Sequence, residues 1–208
     1  MVSLSIITTL TDYLATNYLE LLAASVSLLT IYLNTQETVW AWPVGLVSVV
    51  LYAYIYFDYA LISDGILNVI YFALGIYGWY QWASTSQNNH QRLPISRESR
   101  PRTIGLLVAC IPITWLWAQL ILVVYPEASF LYGDSATTVY SLLAQYWVAK
   151  KRIENWLLWI VVDLVASYIY FQKGLWITTV LYLLFTGLAV YGYYTWRKKL
   201  LAYQARPA

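Results

Sequence analysis

Cysteine and histidine are almost missing from this chain. There is one of each, Cys110 and His90, in 208 residues. That leaves no disulfide framework and no thiolate or imidazole cluster for a metal. Cys110 lies in an apolar run, and His90 sits among Asn88, Asn89 and Gln91, where a solvated side chain is expected. Charge is also scarce, at 11% of residues, and the net of +2 points to no nucleic-acid partner. No G-x-x-x-x-G-K-S/T run is present to cradle a phosphate, so neither an enzyme nor a cofactor is expected. The chain also opens on Met1-Val2-Ser3-Leu4, without a basic n-region or a small-residue cleavage pattern, so no cleaved signal peptide is expected.

What fills the space is apolar. Hydrophobic residues make up 61% of the chain, with 11 Trp and 21 Tyr. A soluble domain of this length could not hide that much apolar surface, which predicts an all-α polytopic membrane protein in a lipid bilayer. Apolar runs fall at about 15–33, 39–57, 61–82, 103–125, 136–149, 156–172 and 175–196, predicting seven transmembrane helices. The fifth is the least apolar, with Thr137, Thr138, Ser141 and Gln145.

Much of the second half repeats the first, 114 positions on. Setting Trp156 under Trp42 needs no gap for 41 residues. Trp42, Tyr54, Phe57, Gly78 and Trp82 then fall on Trp156, Tyr168, Phe171, Gly192 and Trp196, among others. Further back, Ser27-Leu28-Leu29 falls on Ser141-Leu142-Leu143, and Glu20 on Asp134. A direct repeat in a membrane chain is one signature of a carrier with a site between two halves. The expected division is a first three-helix repeat over 15–82, a polar linker over 83–102, a connector helix over 103–125, a second repeat over 130–196 and a tail over 197–208.

Basic residues set the expected orientation. The linker holds Arg92, Arg97, Arg100 and Arg102, the loop after the fifth helix Lys150, Lys151 and Arg152, and the tail Arg197, Lys198, Lys199 and Arg206. With seven spans these segments share one face, which then carries 11 of the 12 Lys and Arg residues and leaves Lys173 opposite. The positive-inside rule places that face, the linker and the C-terminus in the cytoplasm and the N-terminus outside.

Some acids and amides fall inside the runs, and each must face the bundle interior or water. Asp163 lies well within the sixth run, with no basic partner there, and its repeat counterpart is Val49. Asn155, Trp159 and Asp163, at i, i+4 and i+8, share one helix face. Thr138, Ser141 and Gln145 form a second polar stripe, and Asp64, Asn68 and Tyr71 a third. Taken alone, Gln145 or Asn68 fits an interhelical hydrogen bond equally well, and Asp64 and Glu20 fit hydrated positions near an interface. Together, an acid, amides, hydroxyls and flat rings suit a planar, polar, cationic ligand, because aromatic faces and a carboxylate both attract a cation. Trp40, Trp42, Trp82, Trp156 and Trp196 suit the aromatic belt of a membrane interface, and Trp159, one turn deeper, suits it less.

These residues also carry a likeness. Glu154-Asn155-Trp156-Leu157-Leu158-Trp159, after Lys150-Lys151-Arg152 and before Asp163, resembles the signature stretch of PnuC-type vitamin transporters. Gly75-Ile76-Tyr77-Gly78-Trp79-Tyr80-Gln81-Trp82 and Tyr191-Gly192-Tyr193-Tyr194-Thr195-Trp196 resemble the ends of that family's third and seventh helices. The resemblance implies a three-plus-one-plus-three fold related to the SWEET sugar transporters. It also implies uptake of nicotinamide riboside by facilitated diffusion across a bacterial inner membrane, with a cytoplasmic kinase trapping the vitamin by phosphorylation. Asn155 and Trp159 match residues expected to contact substrate, and Gln145 is a further contact. Asp163 stands where some members carry Asn and others Asp. The alternative is a thiamine transporter of the same fold, like the PnuT relatives; a neutral riboflavin is less favoured. Candidate substrate-binding residues are thus Asn155, Trp159, Asp163, Gln145, Asn68 and Asp64, with no metal or cofactor. Proton coupling through Asp163 is the weaker mechanism, and a homo-oligomer is compatible with the sequence.

Overall fold

In an apolar solvent each backbone N–H and C=O must find its partner within its own segment, which makes each apolar run a helix. A computed structural model describes residues 18–58, 62–88, 93–126 and 130–205. The helices are α1 (Tyr18–Thr35), α2 (Ala41–Asp58), α3 (Ile62–Asn88), α4 (Arg100–Val124), α5 (Leu131–Ala149), α6 (Glu154–Gln172) and α7 (Trp176–Gln204). No strand occurs among the described residues, where a lone bridge joins Ser96 to Arg152. His90, Arg92 and Arg206 lie outside the described residues, as does the side chain of Asp64.

α1, α4, α6 and α7 are long and apolar enough to cross a membrane, and α2 carries a shorter apolar stretch, Ala41–Ile55. α5 is less apolar because it carries polar residues, Ser141 and Gln145 among them, that turn toward the interior. Helix ends differ most from the apolar runs where polar sequence remains helical. α3 runs to Asn88, α4 begins at Arg100, α5 begins at Leu131 and α7 runs to Gln204. At 29 residues, α7 is about 43 Å long, well beyond a hydrocarbon layer of roughly 30 Å, so its last turns stand clear of that layer.

Six helices close a ring. α2 packs between α1 and α3, α6 packs between α5 and α7, and the two triads meet where α3 touches α5 and α1 touches α7. α4 packs outside the ring against α5. Its outer face, with Ile104, Val108, Ile111, Trp115 and Val123, is exposed and suits lipid.

The repeat has a packing counterpart. A Cβ at Gly192 would come within 2.7 Å of the Trp156 ring, and one at Gly78 would overlap the ring of Trp42. Glycine is what lets each indole lie flat on the neighbouring helix. Trp42 meets Trp82 edge-on at 5.4 Å and 86°, and Trp156 meets Trp196 at 5.3 Å and 90°. The Trp82 indole N–H donates to the Ala149 carbonyl at 3.2 Å, and that of Trp196 donates to the Asn34 carbonyl at 3.1 Å. Each bond crosses between the halves to a carbonyl in the last turn of a helix, and the Asn34 carbonyl also takes the Glu37 N–H at 3.1 Å.

This corrects the interfacial-belt expectation for four tryptophans. Trp42, Trp82, Trp156 and Trp196 are at most 3% exposed and form the main core, with Ile95, Val148, Ile153 and Leu200. Trp40, at 72% exposed, keeps the belt character. A second core joins Cys110 of α4 to Val139, Leu143 and Trp147 of α5 and to Leu158 and Val162 of α6.

The basic segments gather at the tryptophan end. The linker's second part is docked there: Ser96 N–H donates to the Lys151 carbonyl at 3.0 Å, and Ile153 N–H donates to the Ser96 carbonyl at 3.0 Å. Arg152 pairs with Glu98 at 3.5 Å, and Ile95 is buried. At the opposite end Lys173 pairs with Asp134 at 2.8 Å.

Candidate functional site

Inside the ring lies a cavity of about 260 Å³, floored by the tryptophan layer and walled by both triads. α6 brings Trp159 and Asp163 into its wall, one helical turn apart. Asp163 is 3% exposed and makes no ion pair among the described residues. No Lys or Arg lines the cavity among those residues, and Asp163 is the acidic side chain of that lining.

Asn68 of α3 and Gln145 of α5 line the same cavity, bringing together four of the six residues singled out in the sequence. Tyr71 joins them, its hydroxyl bonded to Ser141, which in turn donates to the Thr138 carbonyl at 2.7 Å. That chain ties α3 to α5 across the two halves. Asn155 stands apart from the lining. It is fully buried one turn below Trp159, and its Nδ2 donates to the Arg152 carbonyl at 2.5 Å. Its Oδ1 has no protein partner among the described residues.

Three polar residues of α1 also line the cavity: Ser27, Thr30 and Asn34, at i, i+3 and i+7. Their spacing equals that of Thr138, Ser141 and Gln145, a signal legible in the sequence as a fourth polar stripe. From α2 come Ala41, Gly45, Val49, Ser48 and Tyr52. Ser48 accepts or donates a 2.5 Å bond to Ser27 and donates to the Ala23 carbonyl at 3.2 Å. α7 closes the ring with Tyr182, Phe185 and Ala189, and Trp42 and Trp156 reach the cavity from below.

The arrangement has no nucleophile–base pair, and no metal-holding group of His, Cys, Asp and Glu occurs among the described residues. It can hold a flat organic molecule between rings, with a carboxylate to one side. An apolar helical ring around a mostly apolar central cavity that holds one acid and several amides and hydroxyls fits a multi-pass membrane carrier.

The comparisons with known proteins agree with that class. The family described as Nicotinamide mononucleotide transporter matches residues 17–198, and this chain belongs to it. The Escherichia coli nicotinamide riboside transporter PnuC is 27% identical over 203 residues, covering 86% of this chain and 85% of its own. A riboflavin/roseoflavin transporter, RibM of Streptomyces davaonensis, is 25% identical over 170 residues, covering 81% of this chain and 79% of its own. The crystal structure of a vitamin B3 transporter PnuC shares the fold, with a TM-score of 0.73 at 21% identity over 96% of this chain and 88% of that one. The relatives are named as transporters.

Proposed function

We propose that the protein carries nicotinamide riboside across a bacterial inner membrane by uniport. The observation that carries this reading is the buried Asp163 carboxylate facing a cavity walled by Trp159 and other rings, with no cationic side chain in the lining. A pyridinium fits that charge. The relatives PnuC of Escherichia coli and of Neisseria mucosa are named for nicotinamide riboside, which supports the same cargo.

The same chemistry argues against the phosphorylated form in the family's description. A phosphate dianion would sit beside a carboxylate, out of water, with no Lys or Arg in the described lining to compensate it. A neutral flavin, the cargo named for RibM, brings no positive charge to pair with Asp163. The thiazolium of thiamine does gain from it, and thiamine is the alternative cargo.

On this reading all seven helices span the bilayer, with the basic end in the cytoplasm and the N-terminus outside. The two triads rock about the central cavity to expose it to each side in turn. Asp163 and Trp159 hold the charged ring, Asn68 and Gln145 serve the ribose and amide, and Asp64, one turn before Asn68 in the α3 sequence, is a further candidate contact. Phosphorylation by a cytoplasmic kinase then keeps the vitamin inside. Uptake of labelled nicotinamide riboside into proteoliposomes tests this, with thiamine and riboflavin as competitors. Saturable entry inhibited by neither is expected. No entry of nicotinamide riboside refutes the proposal, and thiamine entry in its place moves the cargo to the alternative.

A further inference from the structure

Below the tryptophan layer, at the basic end, lies a second cavity of about 300 Å³, lined by Glu37, Thr38, Trp40, Trp82 and Lys151 among others. Trp82 stands between the two cavities: its ring packs on Trp42, which lines the central one. The Lys151 ammonium lies 4.5 Å from the centre of the Trp82 ring and 3.1 Å from Glu37 Oε2, and its side chain is 4% exposed. Glu37 Oε1 takes the Lys199 ammonium at 2.8 Å. A carboxylate beside an indole face is the combination that Asp163 and Trp159 present in the central cavity. At the basic end an ammonium of the protein itself occupies it.

The placement follows from the repeat. Positions 37 and 151 are 114 apart, and both residues hold left-handed backbone, with φ of 59° and 49°. Neither is of a type that adopts that conformation readily. The two turns are therefore matched in shape and differ in the sign of the charge they carry. Glu37 belongs to the first triad's turn, and Lys151 and Lys199 belong to the second half, so the cluster crosses the seam that must part for the basic end to open.

We infer that Glu37 and Trp82 form a second binding site for a flat organic cation, and that Lys151 is its tethered plug. The inference rests on the cationic-cargo reading. Drawing Lys151 away empties the Trp82 face and Glu37 Oε2 while Lys199 keeps only Oε1, a loss that is costly in a largely buried cluster when nothing replaces the ammonium. A cargo cation leaving the central cavity past Trp82 replaces it, on the same ring and the same carboxylate. Opening of the basic end is thereby tied to the presence of cargo, and Lys151 returns once the cation has gone.

The probe is 1-methylnicotinamide, a pyridinium without ribose, read by quenching of tryptophan fluorescence in the purified full-length protein. Asp163→Asn silences the central site and is expected to abolish quenching. Adding Lys151→Met to that background is expected to restore saturable quenching, and adding Glu37→Gln as well is expected to remove it again. Lys151→Arg, which keeps a cation in place, stays silent. Should the Met variant fail to elute as folded protein, Lys151→Gln takes its place in the same series. Three results overturn the inference: no restored quenching, restored quenching that survives Glu37→Gln, or quenching in Asp163→Asn that Lys151→Met leaves unchanged. Failure of the cargo reading shows separately, as absence of probe binding at the central site when Asp163 is intact.

Discussion

α2 and α6 are repeat partners that face one cavity with opposite equipment. On α2 the positions are Ala41, Gly45 and Val49; on α6, 114 residues later, they are Asn155, Trp159 and Asp163. All three α2 residues line the cavity, together with Trp159 and Asp163. The small α2 face leaves room for the large α6 side chains. Where the halves agree, at Trp42 and Trp156, Gly78 and Gly192, or Trp82 and Trp196, the residues hold helices together. At these pairs the duplicated positions are scaffold, and the diverged α6 positions bring the acid and the deeper ring to the candidate site.

The sharpest way to break this contrast is Asp163→Val, which gives α6 the residue α2 carries. Losing the charge partner should weaken nicotinamide riboside by about 2–4 kcal/mol, roughly 30- to 1,000-fold, in equilibrium binding to the purified protein. An unchanged affinity would make the divergence at this position unrelated to cargo. Next come the shared positions. Gly192→Ala and Gly78→Ala each force a methyl against an indole and should cost about 1–3 kcal/mol, seen as a lower thermal-unfolding midpoint in detergent. Gly105, which has open space where a Cβ would sit, is the control. Gly105→Ala should raise the midpoint slightly, since alanine is the better helix former. If all three glycines respond alike, the indole seats are not structural.

Trp159→Ala removes the ring but leaves the carboxylate. Its expected cost is about 0.5–2 kcal/mol of binding, smaller than that of Asp163→Val, with the midpoint little changed. A larger loss than Asp163→Val would reverse their ranking and make ring contact, not charge, the main grip. The smallest effect belongs to Lys173→Met. Its pair with Asp134 is solvent-exposed and lies within one half, so unfolding should shift by no more than about 1 kcal/mol. Transport is expected to continue at its normal rate.

The sequence announced the helices and their repetition, because an apolar run and a fixed offset are both local signals. Four of the candidate site residues meet in one cavity for the same reason: acids and amides in apolar helices have few places to go. Other features needed packing to be seen. Hydropathy treats an indole at a helix end as interfacial, and only the glycines opposite Trp42 and Trp156 reveal burial. Ring order depends on which helices touch, which no single run encodes. Asn155 shares a face with Trp159 and Asp163 yet drops below the cavity, since a shared face says nothing about depth. The Ser27, Thr30 and Asn34 stripe was visible as a pattern, but its residues are small and carry no charge to draw attention. The overrun of α7 arises because Leu200 is buried and Lys199 reaches Glu37, contacts that hold a polar segment helical past the apolar run.

α4, outside the ring, solves a problem of parity. A chain that crosses a bundle three times finishes at the end opposite its start, so a second copy joined directly to the first would run upside down. Yet the turns at 36–40 and 150–153 lie at the same end, as the bond between Glu37 and Lys151 shows. One extra crossing restores the direction. Two like-oriented copies of a three-helix unit in one polypeptide therefore need a single added helix, and α4 serves as one while seated on α5 from outside the ring.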